Sequence, residues 1–309
     1  MQKKTREEKM SEIQKKLEDG TRAIFESDAY ADYIKTFSKF PRYSINNCIL
    51  IASQRPNATY VCGMKTWNEM NRRVNKNEPG IMILAPTKRK VEVNEQIYDS
   101  ENRPVIGEDG KPLTEKVVRE FQSFRPVYVW DYGQTSGEPL PSLVHNLTDS
   151  VDGFEELKEV LIKVSPVPVS FETVNGSANG YFSPVEQKIV VREDLGELQT
   201  IKTLVHEIGH ATMGHGSKED KRDRESKEVM AESVAFWVTS MIGLDTSDYS
   251  FGYISGWSKD KEVSELKENL EIIKSTADQI TRNIEAEYAK LHAEKEVVEV
   301  ASKTPHKKR

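Results

Sequence analysis

Residues 206–210 read HEIGH, within the longer stretch LVHEIGHATMGH. Side chains four apart share one face of an α-helix, so His206 and His210 can reach a single cation. Zinc takes about four tetrahedral ligands, and a catalytic site leaves one position for water, so a third protein ligand is required. His215 is nearest in sequence, but it stands five residues past His210 with Gly214 just before it. The metzincin pattern places its glycine about three and its histidine about six residues past the second ligand, so His215 does not fit it. The following stretch, RESKEVMAESVAFWV, offers Glu228 and Glu232 one helical turn apart. Glu232 lies among apolar residues, where a carboxylate is costly unless paired or ligating. Glu228 belongs to the charged lead-in and can stay in water. The expected set is therefore His206, His210 and Glu232 around Zn2+, with Glu207 as general base. Zinc brings the pKa of a bound water from about 15.7 to about 7, within reach of an adjacent carboxylate. The five-residue pattern also arises by chance with solvated histidines. An apolar helix, Gly209 inside it and an acid in the next apolar helix favour a metal site.

Two weaker features attach to this chemistry. Tyr249 and Tyr253 follow the Glu232 helix and are candidate oxyanion donors, although structural tyrosines are the commoner case. ANGYFS, residues 178–183, is a candidate edge strand on which an extended peptide could pair.

The elements that must position these residues can be read from composition and periodicity. The 309 residues suffice for about two domains, and a 37% hydrophobic fraction beside 30% charge predicts buried cores under a polar surface. No window holds 18 uninterrupted apolar residues, and MQKKTREEKMSEIQKKLEDG lacks the apolar stretch of a signal peptide. A cytoplasmic protein with no membrane partner is expected. Cys48 and Cys62 read as buried reduced thiols.

The net charge of −6 conceals an asymmetry. From Lys35 to Lys90, eleven Lys or Arg face two acids, whereas residues 131–309 carry 21 basic and 32 acidic side chains. The expected fold is α+β in two parts. Residues 1–132 form an α+β domain with helices over 1–39, at SINNCILIASQ and at TWNEMNRRV, then a strand IMILAP and a β-hairpin of two longer strands around GEDGKP. Residues 133–141, with two glycines and two prolines, read as a linker. Residues 142–295 carry a helix, a small sheet and the HExxH helix, then the Glu232 helix and a last amphipathic helix. Residues 296–309 read as a disordered tail.

Binding to single strands of nucleic acid needs a basic groove and flat side chains on which bases stack. Tyr43, Asn46, Arg55, Trp67, Arg72, Arg73, Lys76 and Lys88 are the candidates in the basic half. Against this stands a solvated basic face over core aromatics, and Trp67 lies three residues from both Met64 and Met70. No sequence-specific reader motif is visible, so largely sequence-independent binding is expected.

YSINNCILIASQRPNATYVCGMKTWNEMNRRVNKNEPGIMILAP resembles the N-terminal domain of the ArdC antirestriction proteins, and FRPVYVWDYGQTSGEPLP is similar to the end of that domain. LVHEIGHATMGH, EVMAESVAFWV and LDTSDYSFGYISGW resemble the family's zincin-like metallopeptidase domain, itself similar to the ImmA/IrrE peptidases. The resemblance spans roughly residues 5–290. It implies binding of single-stranded DNA, a zinc peptidase site and Glu232 as third ligand. Relatives often carry a histidine four residues after the second ligand. Here it stands five after, so no fixed role passes to His215. Three functions follow: a DNA-binding module of a mobile element tethered to a zinc peptidase, a peptidase cleaving a regulatory protein, and a non-enzymatic DNA-shielding factor with a structural metal.

Overall fold

Apolar residues at helical spacing in the first forty positions produce two helices, α1 (Arg6–Glu26) and α2 (Tyr30–Ser38). The computed structural model describes residues 5–26, 30–107, 110–140, 151–174, 176–244, 257–258 and 261–302. Helix α3 (Ile45–Gln54) follows, started by Ser44, whose hydroxyl accepts from the Asn47 amide. After β1 (Val61–Cys62), the helix expected through Val74 ends early: α4 covers only Met64–Glu69. Asn71 takes a left-handed backbone (φ 55°), which asparagine tolerates, and the chain reverses into strand β2 (Arg72–Val74). That strand pairs antiparallel with β5 (Thr135–Gly137). The first part of the stretch expected as a linker is thus built into a sheet.

The separate strands expected at IMILAP and RKVEVNEQ are one, β3 (Ile81–Gln96). It pairs antiparallel with β4 (Thr114–Asp131) from Ile81↔Val129 out to Gln96↔Thr114. Only the root is buried, at Ile81, Met82, Ile83 and Val129, so the hairpin projects from the body. Arg125 lies between Phe124 and Pro126, and Arg89 between Lys88 and Lys90, and both are carried within the ladder without breaking it.

In the second half, α5 (Val151–Val164) precedes a three-stranded sheet ordered β6 (Val169–Glu172), β8 (Lys188–Arg192), β7 (Gly180–Ser183). Strand β6 was not expected from the sequence; β7 is an edge strand, as ANGYFS suggested. Helices α6 (Glu197–Thr212), α7 (Arg224–Met241) and α8 (Val263–Ser302) complete the described fold. Helix α8 carries chain through Ser302 where a disordered tail was expected from residue 296, and 303–309 lie outside the described residues.

The apolar core runs through both halves. The Tyr30 hydroxyl and Ser233 Oγ are 2.8 Å apart in it, and the Phe37 and Trp237 rings lie 6.2 Å apart. Lys274 Nζ donates to the Pro41 carbonyl at 3.0 Å. Domain boundaries fall where few contacts cross; the N-terminal helices here are instead packed onto α7 and α8. Among the described residues, no helix is long and apolar enough to cross a membrane.

Candidate metal centre

Helix α6 buries Ile201, Leu204, Val205 and Ile208 and leaves His206 and His210 on its cleft side. Gly209 faces α7, where a Cβ would sit in ordinary contact with Val234 Cγ1 at 3.4 Å. Asp223 caps α7 by accepting from the Ser226 amide at 2.7 Å, and Ser226 Oγ accepts from Trp257 Nε1 at 2.9 Å. These bonds fix the start of α7, which carries Glu228 one turn further on.

Three atoms converge where the helices cross. The Nε2 atoms of His206 and His210 are 3.1 Å apart, and Glu228 Oε2 lies 3.5 Å from the first and 3.6 Å from the second. A tetrahedral ion with bonds of about 2.0–2.1 Å spaces its ligand atoms about 3.3–3.4 Å apart. The triangle matches that spacing, and two imidazoles with a carboxylate are a donor set suited to a borderline divalent ion. Glu228 thus lies within this triangle, whereas Glu232 lies 3.1 Å from the other nitrogen of His206, Nδ1. Glu232 is the more buried of the two acids, as its apolar neighbours suggested, but its carboxylate is on the Nδ1 side of His206. Glu228 is about half exposed, since it stands at the mouth of a cleft.

The cleft has a volume of about 750 Å³ and runs between α6, α7 and the edge strand β7. Gly180, Phe182, Lys202, Arg224 and Glu207 line it beside the histidines. Burial raises the Glu207 pKa above the ordinary carboxylate value, against the lowering effect of both histidines and of the Phe182 amide. Burial alone would lower the His206 pKa, but hydrogen bonds with Glu228 and Glu232 outweigh it and hold the ring at about 10 in the ion-free protein. Glu228 is pushed well below the carboxylate range by hydrogen bonds to His206 and His210. His215 is buried against His210, their Nδ1 atoms 2.8 Å apart, and its pKa falls to about 3 through burial and that neighbour. Tyr249 and Tyr253 lie outside the described residues.

The expected nucleic-acid contacts are not gathered into one surface. Trp67 is wholly buried, donating from Nε1 to the Trp130 carbonyl, and so cannot stack on a base. Arg72 is buried too: it donates to Thr135, Gly137 and Glu138 and lies over the Tyr132 ring. Tyr43 donates to the Val61 carbonyl, Arg55 pairs with Asp131, and Asn46 is half buried. Arg73 and Lys76 are exposed, and Lys88 pairs with Glu120 at 2.6 Å. The surface missed in the sequence is the hairpin. Of the eleven exposed large apolar residues described, seven lie between Tyr98 and Tyr128. Arg89 faces Phe121 across the strands, with Arg125 on the same side; Lys88, Lys90, Phe124 and Tyr128 occupy the other. Aromatics alternating with basic residues in an exposed strand were the available signal.

Fold and site together define a mixed α+β protein with a histidine–carboxylate cluster at the crossing of two helices. Residues 3–130 match the family model for the N-terminal domain of anti-restriction factor ArdC. The fold is similar to the Mn(II)-bound crystal structure of the antirestriction ArdC protein from plasmid R388, with a TM-score of 0.54 and 16% identity over 87% of this chain and 97% of that one. The metal-free structure of that protein gives a TM-score of 0.48 and 17% identity over 79% and 86%. An uncharacterized Bacillus anthracis protein is 23% identical over 94% of this chain, which spans 54% of that protein's length.

Proposed function

We propose that the chain is an antirestriction-type protein of a mobile element that combines a zinc-dependent peptidase centre with a surface for single-stranded DNA. The observation that carries the first part is the triangle of His206 Nε2, His210 Nε2 and Glu228 Oε2, with edges of 3.1, 3.5 and 3.6 Å. That the R388 ArdC protein has a Mn(II)-bound form supports a divalent ion here, and the donor set favours zinc. A bound ion would supply Lewis acidity, polarising a carbonyl and acidifying water. Glu207 accepts the water's proton at its carboxylate and passes it to the leaving amine, a role suited to a pKa raised by burial. Strand β7 lies at the edge of its sheet alongside the cleft, where the backbone of an extended peptide could pair once the Phe182 amide leaves Glu207.

The hairpin supports the second part. Phe121 on one face and Phe124 on the other are exposed rings available for stacking, and Arg89, Lys90 and Arg125 supply charge for phosphates. This division places nucleic acid on the N-terminal half and hydrolysis on the C-terminal half. Digestion of a peptide library by zinc-loaded protein, read by mass spectrometry, tests the peptidase. New termini are expected from the parent and not from Glu207→Gln. Absence of cleavage from both, with metal bound, would favour the DNA-shielding alternative with a structural metal.

A further inference from the structure

His215 is a histidine for which the hydrolytic reading has no use, yet it is among the most deliberately placed side chains near the centre. Its backbone amide donates to the His210 carbonyl at 3.0 Å. The glycines on either side, Gly214 (φ 67°) and Gly216 (φ 79°), both adopt the left-handed backbone that other residues avoid. A Cβ on Gly216 would also meet Pro184 Cγ at 2.8 Å. The sequence GHG thus folds the chain back under α6 and holds the ring, 4% exposed, against His210.

The two rings meet through their Nδ1 atoms at 2.8 Å, so one hydrogen lies between them. In the neutral pair, only one arrangement leaves His210 Nε2 with a free lone pair. His210 then carries its hydrogen on Nδ1 and donates it to His215 Nδ1. His215 in turn carries its own hydrogen on Nε2, which is buried without a hydrogen-bond partner. The reverse arrangement places the His210 hydrogen on Nε2, facing His206 and Glu228, where it would exclude a cation.

We propose that His215 is a positioning residue that fixes the tautomer and ring orientation of His210 for cation binding. The two ligand histidines are then oriented by different chemistries: His206 by the carboxylate of Glu232, His210 by a neutral imidazole. An imidazole partner leaves no additional negative charge beside the centre. The proposal rests on the reading of His206, His210 and Glu228 as ligands.

The test compares the full-length parent with His215→Asn and His215→Leu. Asparagine places an amide acceptor close to where Nδ1 lies, whereas leucine fills the space without one. Zn(II) affinity is measured by competition with a chromogenic chelator, Co(II) coordination by visible absorption, and folding by thermal unfolding of the ion-free proteins. Loss of an orienting partner typically costs about ten- to a hundredfold in metal affinity. Leucine is expected to weaken Zn(II) binding by that factor and to change the Co(II) spectrum, with asparagine restoring both. Parent-like affinity and spectrum in the folded leucine variant would overturn the proposal. If leucine prevents folding, asparagine decides: parent-like binding supports the proposal and a large loss overturns it. A parent that binds neither ion would overturn the centre itself, and the role of His215 with it.

Discussion

Glu228 and Glu232, one turn apart on α7, meet opposite nitrogens of the same imidazole: Glu228 Oε2 is 3.5 Å from His206 Nε2 and Glu232 Oε2 is 3.1 Å from His206 Nδ1. One carboxylate therefore shares the Nε2 side with His210, while the other lies on the Nδ1 side, where it orients the ring. The two acids are predicted to fail differently. Glu228→Ala removes a ligand and should abolish stoichiometric zinc. Glu232→Ala should retain zinc with an affinity about ten- to a hundredfold lower, because it only orients a ligand. Chelator competition on both variants checks this; equal losses, or the greater loss in Glu232→Ala, would restore Glu232 as ligand.

Glu207→Gln should keep the fold and the metal and lose hydrolysis. The side chain lines the cleft without joining the three-atom triangle, so its removal leaves the donors in place. Metal analysis and peptide turnover measured on one preparation separate the two effects. Unchanged turnover would remove Glu207 from the chemistry.

Nucleic-acid binding should depend on the hairpin rather than on Trp67. Phe121→Ala with Phe124→Ala in the full-length chain should weaken binding of labelled single strands, each lost stacking contact being worth about 1–3 kcal/mol. Arg89→Ala with Arg125→Ala should weaken all sequences alike and flatten the salt dependence, since fewer counterions are released. Fluorescence anisotropy over a salt series reads both. Parent-like binding by both double variants would move the contact elsewhere on the protein.

Tyr30→Phe should lower stability by about 1 kcal/mol, although it lies far from the cleft in sequence. It strips a hydrogen bond from Ser233 Oγ, which is fully buried and itself donates to the Val229 carbonyl. Urea unfolding of parent and variant measures the difference. An unchanged midpoint would mean that the join between α2 and α7 contributes nothing.

Local signals in the sequence were sufficient for most of the helices and for the proximity of His206 to His210, because both depend on spacing along one element. The position of Glu228 beside both histidines was not legible, since it depends on how α7 crosses α6, two elements read separately in the sequence. Burial points to Glu232, whereas proximity to both Nε2 atoms points to Glu228, a relation that only the tertiary packing displays. Trp67 and Arg72 had the right chemistry for nucleic acid, but tertiary hydrogen bonds to Trp130, Thr135 and Gly137 absorb them into the interior. The helix drawn through Val74 stopped at a single left-handed asparagine, Asn71, whose conformation periodicity does not register.

The central claim, that His206, His210 and Glu228 hold one divalent ion, is tested most directly by the zinc content of purified full-length protein after equilibration with zinc and removal of the excess. The parent should carry about one zinc per chain, and the double variant His206→Ala/His210→Ala should carry none while keeping its helical circular dichroism. Full zinc content in that double variant, or none in the parent, would contradict the account.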